Sequence, residues 1–135
     1  MRLPNWDIEL AEYIESVANA PFAWGEHDCC LFAANAAKLI TGIDFAQRFR
    51  GKYSTELGAA RALKRYGQGD LFNTLCDIFG EPCPILTLQR GDIALVCDGE
   101  RHGVALYYSE KFLNANIDGL KAVERSSVVA CWRVG

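Results

Sequence analysis

The sequence predicts an α+β domain in which N-terminal helices pack on a C-terminal antiparallel β-sheet. Apolar residues recur at helical spacing, between recognisable caps, from the N-terminus until Pro82 and Pro84 close the helical half. From Arg90 onward the period shortens to that of strands separated by turn signals. The 135 residues, half of them apolar, suit a single domain (1–135) with a sizeable core. No repeat, linker or low-complexity run divides them.

The first helix is expected to start after Asn5 as its cap, with Asp7 and Glu9 in the opening turn. Ile8, Ala11, Ile14 and Ala18 mark its packing face, and it ends near Asn19 before Pro21 forces an extended path. Asp28 caps the second helix, which runs through Leu31–Ile40 to Thr41-Gly42. That helix is apolar nearly all round, broken only by Asn35 and Lys38, so the rest of the domain should enclose it. Residues 43–49 suggest a short helix, and Arg50-Gly51-Lys52-Tyr53 a turn with glycine at a special backbone angle. Ser54 or Thr55 caps a helix ending at Gly67, and Asp70 caps another that carries Leu71, Leu75 and Ile78. Strands are then expected over 92–97, 102–108, 112–117, 120–123 and 131–134, with turns at Asp98-Gly99, Ser109-Glu110 and Asp118-Gly119.

A net charge of −3 gives no basic footprint, so nucleic acid is not an expected partner. No stretch approaches the ~20 apolar residues that span a bilayer, and the N-terminus lacks the apolar core of a signal peptide. Synthesis in the cytoplasm, with a non-secretory route for any extracellular role, is the expectation. The cysteines at 29, 30, 76, 83, 97 and 131 contain no CxxC pair. Neither a metal nor another cofactor is expected. A module that gathers several cysteines around a metal or cluster is kept as a competing reading.

The chemistry concentrates at Asp28-Cys29. Cys29 falls at the first helical position, where the positive end of the helix dipole favours thiolate over thiol. A thiolate nucleophile needs a base and usually a third group to orient it. Of the two histidines, His27 is too close in the chain to point back at the sulfur, whereas His102 opens a strand. Asn114, twelve residues on, is placed to hold the far imidazole nitrogen in a Cys-His-Asn arrangement. Such a pair requires a sulfur–nitrogen separation of roughly 3–4 Å.

The segments Pro21-Phe22-Ala23-Trp24-Gly25, Asp28-Cys29, Gly91-Asp92-Ile93-Ala94 and His102-Gly103-Val104-Ala105-Leu106 followed by Asn114 resemble NlpC/P60 cysteine peptidases. The whole chain resembles a small phage- and prophage-encoded branch of that superfamily, the DUF6950-type proteins. Asp28-Cys29-Cys30, Gly42-Ile43-Asp44, Arg50-Gly51-Lys52-Tyr53 and Trp132-Arg133-Val134-Gly135 carry the likeness. The resemblance implies a papain-like NlpC/P60 fold and cleavage of peptidoglycan stem peptides, typically beside D-glutamate. Cys29 would be nucleophile, His102 general base and acid, and Asn114 the orienting residue. Phe22, Trp24 and Asp28 would lie near substrate and oxyanion. Relatives in a phage tail tip would open the wall locally, beside other tail-tip or baseplate proteins. The alternative is a catalytically silent structural subunit of the tail or baseplate with the same fold.

The chain departs from the family pattern in three places. Cys30-Leu31 replaces the usual Ser-Gly, Phe22 replaces a tyrosine, and the glycine after His102 is moved by one. A strict two-residue turn at Ser109-Glu110 would also put residues 102 and 114 on opposite faces of their hairpin.

Overall fold

The computed structural model describes residues 1–135. Four helices, α1 (Trp6–Val17), α2 (Cys29–Thr41), α3 (Glu56–Tyr66) and α4 (Leu71–Phe79), precede five strands. The strands are β1 (Ile93–Asp98), β2 (Arg101–Tyr108), β3 (Lys111–Asn116), β4 (Gly119–Val123) and β5 (Val128–Trp132). They form one antiparallel sheet in the order β4-β3-β2-β1-β5. The α+β architecture is therefore the expected one. No helix is long and apolar enough to cross a membrane.

The expected caps at Asp28, Thr55 and Asp70 each accept a backbone N–H from the first turn of their helix. Asn5 does not cap through its side chain. It sits in the left-handed region at φ 63°, and its carbonyl instead accepts the Glu9 N–H. The buried stripe of α1 is also rotated from the expected one. Leu10 is fully buried, with Trp6, Tyr13, Ile14 and Val17 against the core, while Ile8 faces solvent. Residues 43–49 form successive turns rather than a helix. The Asp44 carboxylate accepts the Ala46 N–H and two bonds from Arg50, drawing the backbone away from a helical ladder.

Helix α2 is the hub, as its apolar surface predicts, with Phe32, Ala36, Ala37 and Ile40 fully buried. These residues share a core with Leu95, Val104, Leu106 and Trp132. The opposite face of the sheet buries Ala94, Val96, Ala105, Phe112 and Cys131. Alternation along β2 is thus complete: Val104 and Leu106 face the helices, Ala105 the other side. Both ends of β2 are set by two-residue turns, since Asp98 pairs with Arg101 and Tyr108 with Lys111. In the second turn Ser109 and Glu110 both take positive φ, 52° and 62°, the signature of a type I′ hairpin.

Asp92 is the buried tie between the chain ends. Its carboxylate accepts from Arg2 Nη2 (2.9 Å), the Val134 N–H (3.0 Å) and the Gln89 N–H (2.8 Å). Arg2 also donates to the carbonyls of Val134 and Arg90. Removing one partner of such a buried pair leaves a charge uncompensated. Asp92→Ala is therefore expected to lower stability by about 3–5 kcal/mol in urea unfolding. A loss below about 1 kcal/mol would contradict this role for the tie. Because asparagine and glycine accept positive φ, Ser109→Asn with Glu110→Gly should stabilise the protein by about 1 kcal/mol if the type I′ turn is right.

Candidate active site around Cys29

Asp28 is 1% exposed and fully engaged. One oxygen accepts the Leu31 N–H (2.9 Å); the other accepts the Gly25 N–H (3.0 Å) and the Tyr53 hydroxyl (2.6 Å). Burial, then this bond to a carboxylate, holds the Tyr53 phenol well above its ordinary pKa, so it remains a donor. The approach requires Gly25, which has φ 83°; a Cβ there would run into the Tyr53 carbonyl oxygen. Asp28 thus fastens the entry loop, the start of α2 and the 50–53 turn together. Arg50 is spent on the same frame, with its guanidinium bound to Asp44 and Asn35.

Cys29 stands half-buried at the first position of α2. Its thiol pKa is lowered, chiefly by the sulfur–sulfur hydrogen bond with Cys30 at 4.0 Å. Burial opposes that shift, while the backbone N–H groups of Val104 and Cys30 add to it. The Cys30 thiol is pushed well up by the same bond and by burial against a cavity of about 90 Å³ lined almost wholly by apolar side chains. Cys30 is therefore the largest single influence on the Cys29 thiol.

The strands explain what surrounds the sulfur. β2 and β3 pair only from Leu106↔Leu113 to Tyr108↔Lys111 and then part. At the opening, the Val104 N–H turns to the Cys29 sulfur and the Val104 carbonyl accepts Asn114 Nδ2 at 2.9 Å. Gly103 faces both groups. A Cβ built there would stand 3.6 Å from Cys29 Sγ and 3.3 Å from Asn114 Nδ2.

The structure brings Cys29 and Asn114 to one place, but not His102. Adjacent strand residues point to opposite faces. His102 is exposed and makes no hydrogen bond with Cys29; it lines a shallow cleft with Leu63, Lys64, Asp70 and Phe72 of the α3–α4 region. The two-residue turn at Ser109-Glu110 places 103, rather than 102, on the face of residue 114. Asn114 consequently orients no imidazole; its amide takes a carbonyl that the sheet leaves open. Phe22 and Trp24 stack edge-on at 5.0 Å in the entry loop, and His27 packs edge-on against Phe32. No group of three or more His, Cys, Asp or Glu side chains is placed to hold a metal ion.

The architecture at this point is that of an α+β domain with a capped cysteine at the head of its central helix. Residues 1–134 match the model of a family described as a domain of unknown function, DUF6950, and the chain belongs to that family. No curated protein matches it.

A lowered thiol pKa extends the thiolate to lower pH than in a free cysteine. Iodoacetamide should therefore label Cys29 ahead of the other five cysteines, and its rate should fall with acid only below the range where a free thiol loses reactivity. Cys30→Ala, by deleting the largest stabilising bond, should move that midpoint upward. Labelling of Cys29 with the pH dependence of an ordinary thiol would contradict the arrangement.

Proposed function

We propose that this chain uses a papain-like, NlpC/P60-type frame as a structural subunit of a phage tail tip or baseplate, silent as a peptidase. One observation carries the silent part of this reading, the tail setting resting on the sequence resemblance alone: glycine occupies the position facing Cys29 where a histidine base would have to stand. Peptide hydrolysis needs a group to protonate the leaving amine, and a thiolate alone cannot supply it. Turning His102 to Cys29 would require β2 to slip by one residue, which would rotate Val104 and Leu106 out of the core. Exposing two such side chains costs about 3–6 kcal/mol. A single new hydrogen bond to a charged group returns about 1.5–3 kcal/mol, so the observed register wins. Cys29 and Asn114 also have structural tasks, the one meeting the Val104 N–H and the other its carbonyl.

The second reading, a cysteine peptidase or amidase acting on peptidoglycan stem peptides, is favoured by the lowered thiol pKa of Cys29. The two separate in one assay with purified muropeptides. The silent reading expects no cleavage above the blank, and virions carrying Cys29→Ser that infect normally. Cleavage that disappears in a folded Cys29→Ala protein would sink it, and additional loss in His102→Ala would restore the Cys-His pair.

A further inference from the structure

We propose that Cys83 and Cys131 form a thiol–disulfide exchange site, which a small-molecule disulfide converts into an intramolecular bond between the 80–88 segment and β5. Their sulfurs lie 3.9 Å apart. The Cys83 N–H donates to the Cys131 carbonyl at 2.8 Å, and the Cys131 thiol donates to the Cys83 carbonyl at 3.1 Å. The two residues are therefore joined by a backbone hydrogen bond with their sulfurs adjacent, the kind of proximity that disulfide formation needs. Neither sulfur touches the Cys29 site.

The location gives the bond a purpose. β5 is an outer strand of the sheet, and a bare outer strand is open to pairing with another chain. The segment after α4 covers part of it, held by Trp132 Nε1 on the Gly80 carbonyl (3.0 Å) and by Arg133 on the Thr87 carbonyl (3.3 Å). Cys83 lies between the two tied positions of the segment, and Cys131 immediately precedes Trp132 on the strand. Closing them would lock the cover over the strand and shut a loop of chain reaching back across all of β1 to β4. The other cysteines have no equivalent geometry. Cys29 and Cys30 adjoin within the first turn of a helix, and Cys76 and Cys97 have no sulfur neighbour.

The steps balance with an external disulfide as oxidant. The half-buried Cys83 attacks it as thiolate, forming a mixed disulfide and releasing one external thiol. Cys131 then attacks the Cys83 sulfur, and the second external thiol leaves. Two protein thiols are oxidised, one external disulfide is reduced, and both protons depart on the released thiols. Burial pushes the Cys131 thiol up and still does so once Cys83 is capped, which makes the second step the slow one and base-accelerated.

Incubation of the full chain with oxidised glutathione, followed by thiol titration and peptide mapping, tests this. The proposal expects the loss of two titratable thiols, a mass lower by two hydrogens, and one linked peptide joining 83 to 131. Melting should rise by roughly 5–10 °C and fall again on reduction. Cys131→Ser should stop at the mixed disulfide, gaining the mass of one glutathione at Cys83, and the rate of closure in the parent should rise with pH. Peptide mapping of the unmodified parent needs no variant to fold. Retention of all thiols, a different linkage, or closure that lowers the melting temperature would each overturn the proposal.

Discussion

The register of β2 is the constraint on which the site depends. Two-residue turns at each end leave the strand no slack, and Val104 and Leu106 anchor it against α2. With those two inward, Gly103 must face the opposite way, towards Cys29 and Asn114, and His102 must face α3 and α4. The identity of one residue then decides the chemistry. A side chain at 103 would meet the sulfur; glycine leaves a gap bordered by the side chains of Cys29, Asn114 and Val96.

Around that register, two buried carboxylates tie distant segments together. Asp28 joins the entry loop, α2 and Tyr53, while Asp92 joins Arg2, β1 and Val134. Each satisfies donors that would otherwise be buried without a partner, so each acts on stability and position at once. The lowered thiol pKa of Cys29 comes chiefly from its hydrogen bond with Cys30, with the backbone N–H groups of Val104 and Cys30 adding to it against burial and the Asp28 charge. On the proposed silent reading, reactivity and catalysis come apart: the thiol is prepared but would lack the proton donor that turnover needs.

Much of the fold was legible locally. Asp28, Thr55 and Asp70 announce helix starts because capping is a short-range hydrogen bond, and the change of period at Arg90 announces the sheet. The candidate site was legible in its cysteine and in the nearness of Asn114. It was not legible at His102, because order along the chain does not state which face a strand residue occupies. Turn parity was the available signal, but Ser109-Glu110 lacks the Asn-Gly pattern that marks a type I′ turn, so the register stayed open. Tyr53 on Asp28 and Cys83 beside Cys131 join residues 25 and 48 positions apart, and no periodicity reports contacts of that kind. The rotated face of α1 has a similar origin: the groove it fills, more than its own pattern, selects Leu10 and Tyr13.

Disulfide trapping at the opening between β2 and β3 tests the central claim most directly. In a Cys30→Ala background, Gly103→Cys and His102→Cys would be compared for a bond to Cys29 under mild oxidation. The Cβ position at 103, 3.6 Å from the sulfur, predicts rapid and complete linkage for Gly103→Cys and none for His102→Cys. Linkage of residue 102 in preference to 103 would contradict the account and put the histidine back beside the thiolate.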